Sequence, residues 1–142
     1  DTSYTITAFD VSKPEGNSGP TVFEYVVTRS GVTTGSSSVA YSVAGTATDG
    51  ANGDDFVGGS LPDTSIAFAE NSTAETIQIQ VNGDLDVEPD EGFILTLNSA
   101  TDGTIGTTGS VESTILNDDT SYTIESFDVS KPEGNSGPTV FE

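Results

Sequence analysis

Clustered carboxylates are the side chains of this sequence that are best suited to chemistry. The chain holds 23 Asp and Glu residues against 3 Lys and Arg residues, and five of the acids fall within residues 84–91. Carboxylates that lie close together repel one another and raise each other's pKa values. A hard dication such as Ca²⁺, which accepts about six to eight oxygen ligands and tolerates irregular loop geometry, removes that cost. The alternative interpretation is an acidic loop surface that binds no specific ion.

Catalysis explains the same residues poorly. Glu88 and Glu91 have the residue types of a general acid and base pair, as in glycosidases, but a shared metal site accounts for them better. The chain has no His and no Cys, so a serine nucleophile would lack its usual base and no disulfide, thiolate or zinc chemistry is possible. We therefore predict that the protein is not an enzyme.

The densest acidic segment is not an EF-hand loop. Asp84-Leu85-Asp86-Val87-Glu88-Pro89 carries carboxylates at alternate positions, as an EF-hand does. Pro89, however, stands where that loop requires glycine, and Leu95 stands where it requires glutamate. No helix is predicted on either side, so we expect a calcium site of another type.

The formal net charge of -20 limits the possible partners. Nucleic acids and anionic membrane surfaces are bound through basic patches, which this chain does not provide. A membrane-spanning helix needs a run of about 18 apolar residues, and the sequence has none. We predict no nucleic-acid partner and no direct membrane insertion.

The sequence predicts an all-β domain. Short segments in which apolar and polar residues alternate lie between clusters of Gly, Asn, Asp, Ser and Pro, and no segment has helical periodicity. Seven such segments in about 118 residues are typical of a β-sandwich in which each strand buries one face. The predicted strands are residues 3–9, 21–29, 38–43, 64–69, 76–81, 92–98 and 110–116. The aromatic residues expected in the core are Tyr4, Phe9, Phe23, Tyr25, Tyr41, Phe56, Phe68 and Phe93.

The predicted strands place most of the acids at one end of the sandwich. If successive strands alternate in direction, the connections after the first, third and fifth strands lie at the same end as the exit of the seventh. Residues 1–119 contain 19 acids, and 13 of them fall at this end. Random solvation would not segregate charge in this way, so we expect a cation site there. The 13 acids are Asp10, Glu15, Asp49, Asp54, Asp55, Asp63, Asp84, Asp86, Glu88, Asp90, Glu91, Asp118 and Asp119.

Four sequence elements resemble the Calx-beta family. They occur in the family's order and cover the whole unit. The resemblance implies an immunoglobulin-like antiparallel β-sandwich of Greek-key type, with about seven strands, that binds calcium through the loops at one end. The elements are Pro14-Glu15-Gly16, Gly45-Thr46-Ala47 with Gly53-Asp54-Asp55-Phe56, the segment from Asp84 to Phe93, and Ile115-Leu116-Asn117-Asp118-Asp119.

The resemblance also assigns calcium ligands. Seven residues match the family's ligand positions, and four more are supplementary candidates. Three departures imply weaker binding and one to three ions: Ala44 and Asn117 stand where family members often carry an acid, and Asn82-Gly83-Asp84 replaces a run that is often three Asp. The seven matching residues are Glu15, Asp55, Asp84, Glu88, Glu91, Asp118 and Asp119, and the supplementary ones are Asp49, Asp54, Asp86 and Asn117.

The sequence contains an internal repeat. Residues 119–142 repeat residues 1–24 at an offset of 118 residues, with differences only at Thr7/Glu125 and Ala8/Ser126. We predict that residues 1–118 form one complete repeat. Residues 119–142 are then the first strand and the start of the second strand of the next repeat in a tandem array.

These features together predict a structural calcium-binding repeat of a large extracellular or cell-surface protein. Calcium at the exit of the last strand would make the junction between neighbouring identical units rigid, in a head-to-tail fibre or filament. Extracellular modules bind calcium at about 10⁻⁴–10⁻³ M, which suits this location. The partial second copy is either a slice of a continuous array or a strand donated to another subunit. Two alternatives remain open: a ligand-binding adhesin domain, and a calcium-sensor module that regulates a transporter.

Overall fold

The strands of this chain form where apolar and polar residues alternate. The structure, a computed structural model, describes residues 1–142 and contains nine strands and one short 3-10 turn at Gly53–Asp55. All seven predicted strands are present. No helix is long and apolar enough to cross a membrane. The strands are β1 (Thr2–Ala8), β2 (Ser12–Pro14), β3 (Gly19–Gly31), β4 (Ser37–Gly45), β5 (Asp63–Phe68), β6 (Ala74–Gly83), β7 (Glu91–Ala100), β8 (Thr104–Ile105) and β9 (Ser110–Leu116).

Two sheets pack face to face. One sheet has the strand order β6-β3-β1-β8, and the other has the order β2-β9-β7-β4-β5. Neighbouring strands are antiparallel, apart from β1 with β8 and β2 with β9, which are parallel. The predicted immunoglobulin-like β-sandwich is therefore confirmed.

The two unpredicted strands are too short to carry a periodic signal. β2 has three residues and β8 has two. β2 nevertheless matters for the site, because it pairs Pro14 with Leu116 and so places Glu15 beside the exit of β9. The backbone N–H of Glu15 donates to the carbonyl of Leu116 at 3.2 Å. Sequence alternation therefore finds the strands that build the core but misses the edge strand that positions an acidic residue.

The core between the sheets is centred on aromatic rings. Phe93 contacts Phe23 and Phe56 edge to face, with ring centroids 5.2 Å and 5.5 Å away. Tyr25 is also buried, and its hydroxyl shares a hydrogen bond of 2.7 Å with Ser113. Edge-to-face pairs contribute about 0.5–1.5 kcal/mol beyond the area they bury. These contacts link β3, β7 and the long β4–β5 connection, so the core holds the loops of one end in place.

The prediction that Phe9 lies in the core is wrong. Its side chain is 66% exposed, because Phe9 lies beyond the last residue of β1, where the chain turns towards β2. Tyr41 is only half-buried. The other aromatic residues predicted for the core are buried, namely Tyr4, Phe23, Tyr25, Phe56, Phe68 and Phe93.

Residues 120–142 form no strand and expose their apolar side chains. Tyr122 and Ile124, for example, are 92% and 98% exposed. The turn of the second copy nevertheless repeats that of the first: Lys131 Nζ donates to the Val140 carbonyl at 2.9 Å, as Lys13 does to Val22 at 2.8 Å. In the first copy β1 pairs with the later half of β3 and with β8, and residues 120–142 contain no counterpart of either. Their assignment to a next repeat stays a prediction.

Replacement of Phe93 by Ala tests the aromatic core. Phe93 is fully buried, so we expect the change to lower the free energy of unfolding by about 3–5 kcal/mol through lost burial and the resulting cavity. Phe9→Ala is the matched control, and its exposed ring predicts a change within about 0.5 kcal/mol. Urea denaturation at fixed calcium concentration measures both. Equal unfolding midpoints for the two variants would contradict the described core.

Candidate metal centre

Three loop segments meet at one end of the sandwich, as strand parity predicts. The N–H of Gly16, before β3, donates to Asp118 Oδ1 at 3.1 Å, after β9. The N–H of Glu88, in the β6–β7 loop, donates to Asn117 Oδ1 at 3.2 Å. Asp90 in the same loop accepts the N–H of Asn117 at 2.9 Å. The exit of β9 is thus held between two other acidic loops, and carboxylates from all three come together.

The first cluster consists of Glu15, Asp84 and Asp119. One carboxylate oxygen of each lies within 4.8 Å of the others. Glu15 and Asp119 are 6% and 8% exposed, which is rare for acids without a cationic partner. Asn17 Nδ2 donates to Asp119 Oδ1 at 2.8 Å, whereas the buried Oδ2 atom of Asp119 has no hydrogen-bond partner. A bound cation would give this oxygen a partner, so the three carboxylates fit a metal site.

The electrostatics of the first cluster also favour a cation. Burial, followed by the charges of Asp84, Glu88, Asp118 and Asp119, raises the pKa of Glu15 to about 7. Burial and neighbouring carboxylates raise the pKa of Asp119 as well, and the hydrogen bond from Asn17 partly offsets this. Near neutral pH the cluster must therefore hold a proton or accept a compensating positive charge.

The second cluster consists of Asp55, Glu88 and Glu91, again with oxygens within 4.8 Å of one another. The short 3-10 turn places Asp55 through a capping box: the N–H of Asn52 donates to Asp55 Oδ2 at 2.6 Å, and Asn52 Oδ1 accepts the N–H of Asp54 at 3.0 Å. Glu91 is the first residue of β7 and pairs with Ile115 of β9. The pairing of β7 with β9 therefore fixes Glu91 and the capped turn fixes Asp55, while Glu88 lies in the β6–β7 loop, where its N–H donates to Asn117 Oδ1.

The second cluster carries the same electrostatic cost. The pKa of Glu91 is raised to about 7, chiefly by burial. The charge of Asp55, a hydrogen bond with Asp55, and the charges of Glu88 and Glu15 raise it further. Burial and the charges of Asp55, Asp84 and Asp86 raise the pKa of Glu88. Because Glu15 and Asp84 belong to the first cluster, the two clusters form one coupled acidic centre.

Six of the seven residues assigned by resemblance lie in these clusters. The seventh, Asp118, accepts the N–H of Gly16 and contributes to the raised pKa values of Glu15 and Asp119. The two clusters are two candidate sites, and the expectation of one to three ions stays a prediction. The role of each residue as a ligand stays a prediction, and the six clustered residues are Glu15, Asp55, Asp84, Glu88, Glu91 and Asp119.

The supplementary candidates lie outside both clusters and hold the loops. The N–H of Asp86 donates to Asp84 Oδ1 at 2.7 Å. The carbonyl of Asp49, a residue with φ of 44°, accepts the N–H of Gly92 at 2.8 Å. The carbonyl of Asp54 accepts Asn82 Nδ2 at 2.8 Å. Asn117 Nδ2 donates to the carbonyl of Asp119 at 2.9 Å and so fixes the exit of β9.

Sequence reasoning missed three asparagines that position the acids. Asn17 orients Asp119, Asn52 orients Asp55, and Asn82 ties the 3-10 turn to β6 through the carbonyls of Asp54 and Phe56. These residues are uncharged, so a search for carboxylates does not find them. The available signal was that all three fall in the connections assigned to the acidic end.

Comparisons with known proteins agree with this architecture. The family model of the Calx-beta domain matches residues 1–119. Among solved structures, the chain is similar to the apo-form Calx CBD1 domain, with a TM-score of 0.69 and 23% identity over 83% of this chain and 98% of that one. It is also similar to CBD12 from CALX1.2, with a TM-score of 0.68 and 23% identity over 82% of this chain. No curated protein matches the sequence.

These likenesses differ in extent. This chain spans 46% of CBD12 from CALX1.2 and 46% of the calcium binding domain CBD12 of CALX1.1, which is about half the length of each. At 22–23% identity the structural matches show the fold alone. The family match, by contrast, covers most of the sequence, including every acidic loop described above. This chain therefore belongs to the Calx-beta domain family.

Proposed function

We propose that this chain is a calcium-binding structural repeat in which calcium makes the junction between tandem units rigid. The observation that carries the proposal is the place of Asp119. Its carboxylate belongs to the first acidic cluster, and its position in the repeat is equivalent to Asp1, the first residue of the next unit. A cation bound to this cluster would hold the residue that joins two units.

Calcium is the cation that the donors fit best. Both clusters offer only carboxylate oxygens, from loops and from the start of β7, and Ca²⁺ prefers oxygen ligands and tolerates irregular geometry. One of the similar structures is that of the calcium binding domain CBD12 of CALX1.1, which supports carrying the same ion over to this chain. Bound calcium would supply the positive charge that the raised pKa values of Glu15 and Glu91 call for.

The chain's own residues supply the mechanism. Glu15 follows β2, Asp84 follows β6 and Asp119 follows β9, so their mutual repulsion opposes the hydrogen bonds that hold these three segments together. Neutralising that repulsion would stabilise this arrangement and immobilise Asp119. The junction would then change from loose to rigid without any rearrangement of the core, and the role requires no catalysis.

We place the protein outside the cell, with neighbouring identical repeats, head to tail, as its partners. The near-identity of residues 119–142 and 1–24 supports identical neighbours. Extracellular calcium modules bind with dissociation constants of about 10⁻⁴–10⁻³ M, whereas intracellular sensors bind at about 10⁻⁷–10⁻⁵ M. A measurement of the calcium dissociation constant would therefore distinguish an extracellular module from an intracellular sensor.

The second candidate is a sensor module in which calcium changes an interdomain angle. Similarity to CBD12 from CALX1.2, of which this chain spans about half, favours it. Both candidates use the same acidic centre and the same junction. They differ in outcome, because a sensor requires a defined change of angle and a structural repeat requires a loss of flexibility.

Calorimetric titration tests the ion site. We expect calcium binding to the full chain and a loss of at least about tenfold in affinity for Glu15→Gln, which removes one charge from the first cluster. Glu112→Gln is the matched control, since Glu112 is exposed in β9 and belongs to neither cluster. Equal affinities for the two variants would contradict the assigned site.

The stability of the calcium-free protein should fall as pH rises. The pKa of Glu15 and of Glu91 is about 7 in the folded chain, against an ordinary value of 4.5, so the folded state binds more protons than the unfolded state between these values. The unfolding free energy therefore decreases from pH 5 to pH 8. We expect the calcium-free Tm to drop by about 5 °C, and saturating calcium to reverse the slope.

The control for this pH effect is the double variant Glu15→Gln with Glu91→Gln, which should flatten the pH dependence of the calcium-free Tm. Differential scanning calorimetry measures the calcium-free Tm of the unmodified chain and of the double variant, each at pH 5 and at pH 8. A calcium-free Tm that is constant or rises from pH 5 to pH 8 would overturn the electrostatic account of the site.

Small-angle X-ray scattering tests the junction. The protein to use has residues 1–118 placed directly in front of the full chain, which gives two complete consecutive units. The range of molecular shapes that fit the scattering curve should be narrower with calcium than with a chelator. Asp119→Asn at the first junction should remove most of this difference. Unchanged length and stiffness would refute stiffening, and a shift to one new angle would favour the sensor.

A further inference from the structure

Two asparagines of this chain are followed directly by glycine, and both lie at the acidic end. They are Asn52, which precedes the 3-10 turn, and Asn82, near the end of β6. Glycine has no Cβ atom to shield its backbone nitrogen or to restrict its backbone. That nitrogen can therefore reach the side chain of the preceding asparagine, which makes Asn-Gly the sequence most open to deamidation.

Deamidation replaces the side-chain amide with a carboxylate. The glycine nitrogen gives up its proton and attacks Cγ of the asparagine, the new N–Cγ bond closes an imide ring, and ammonia leaves. Water then opens the ring. Cleavage of the N–Cγ bond gives aspartate, whereas cleavage of the bond to the backbone carbonyl carbon gives isoaspartate, in which the chain runs through Cβ. One water is consumed, one ammonia is released, and nothing is oxidised or reduced.

The fold holds Asn82 against this reaction. Its Nδ2 atom, which would leave as ammonia, donates to the carbonyls of Asp54 at 2.8 Å and Phe56 at 3.1 Å. Both residues of this Asn-Gly pair are also paired with β3. A Cβ atom on Gly83 would lie 2.2 Å from the carbonyl oxygen of Gly16, so the glycine backbone is closely packed. Ring closure at Asn82 would have to break these contacts.

Asn52 is held much less tightly. Its side chain is exposed, and its Nδ2 atom makes no hydrogen bond. The N–H of Gly53, the attacking group, also has no partner, as is usual for the first residue of a helical turn. Asn52 Oδ1 accepts the N–H of Asp54 at 3.0 Å. Negative charge develops on this oxygen during the attack, so the Asp54 N–H stabilises it.

Asn52 also positions the second acidic cluster. Its N–H donates to Asp55 Oδ2 at 2.6 Å, and Asp55 shares that cluster with Glu88 and Glu91. Conversion to aspartate keeps an acceptor for the N–H of Asp54, since aspartate caps a helix as well as asparagine does. Conversion to isoaspartate instead inserts a backbone carbon between the cap and the turn, which moves Asp55 away from Glu88 and Glu91.

We propose that Asn52 is a site of spontaneous deamidation, and that its isoaspartate product disables the second acidic cluster. The modification stands on the geometry of the turn, whereas its effect on calcium binding rests on the proposed function. A cation held by Asp55 would also hold the capped turn, so bound calcium protects Asn52. Units that spend time without calcium therefore lose part of their calcium-binding capacity.

Peptide mapping by mass spectrometry tests the modification. The full chain is incubated in calcium-free, mildly alkaline buffer and digested with pepsin, and the aspartate and isoaspartate products are quantified at both positions. We expect Asn52 to react at least about tenfold faster than Asn82, because Asn82 must first lose two side-chain hydrogen bonds. Equal rates at the two positions, or a faster reaction at Asn82, would overturn the proposal.

The same incubation in urea is the control for the local sequence. Unfolding removes the different surroundings of the two Asn-Gly pairs, so their rates should become similar. A difference that persists in urea would show that the fold is not its cause and would contradict the proposal. Asn52→Ser is the control variant: serine still caps the turn but has no amide to lose, so only Asn82 should react at its unchanged rate.

Calcium titration separates this proposal from the proposed function. The isoaspartate form, isolated by chromatography, should bind fewer calcium ions than the unmodified chain, whereas Asn52→Asp, which copies the other product, should keep the full number. Reaction at Asn52 with unchanged calcium binding would support the modification and overturn its effect on the second cluster. Reaction at Asn52 in a chain that binds no calcium would support the modification and refute the proposed function.

The rate of deamidation in calcium tests the protection. Saturating calcium should slow the reaction at Asn52, because the ion would hold Asp55 and the turn that Asn52 caps. The slow reaction at Asn82 should change little, since its amide is already held by hydrogen bonds. An unchanged rate at Asn52 in a chain that binds calcium would refute the protection.

Discussion

Repulsion between carboxylates at one end of the sandwich is the interaction on which the rest of this structure depends. Six acids form two clusters, and within each cluster one oxygen of every acid lies within 4.8 Å of the others. Glu15 and Asp119 are buried, so water screens their charges incompletely. The sandwich core supplies the stability that keeps them there, because Phe93 packs edge to face on both Phe23 and Phe56. The same packing anchors the β4–β5 connection that carries Asp55. The fold therefore stores an unfavourable charge arrangement that a cation relieves.

Asparagines and short strands convert that arrangement into a defined site. β2 brings Glu15 beside the exit of β9, and Asn17 and Asn117 hold Asp119 by its side chain and its carbonyl. One oxygen of Asp119 is left buried without a partner. A surface that merely carried charge would leave all of its acids exposed to solvent, whereas Glu15 and Asp119 are buried. Here the scaffold restricts them, which is the feature that distinguishes a binding site from an acidic face.

Much of this could be predicted from the sequence, for physical reasons. Ile77, Ile79 and Val81 alternate with polar residues, so the period of β6 was readable, and strand parity then placed the acidic loops together. Phe9 was assigned to the core for its residue type, although it stands out of phase with the buried Tyr4 and Ile6 and therefore faces outward. Asn17 and the three-residue β2 also escaped prediction, since their roles depend on contacts with residues about 100 positions away.

The central claim is that one residue serves two units, as a cation ligand in the first and as the entry of the second. A crystal structure of the two-unit protein grown with calcium tests this most directly. The account predicts an ion bound by Glu15, Asp84 and the junction aspartate at about 2.3–2.6 Å, with the next unit continuing directly from that aspartate. An ion elsewhere, or a junction aspartate that faces solvent and contacts no ion, would contradict it.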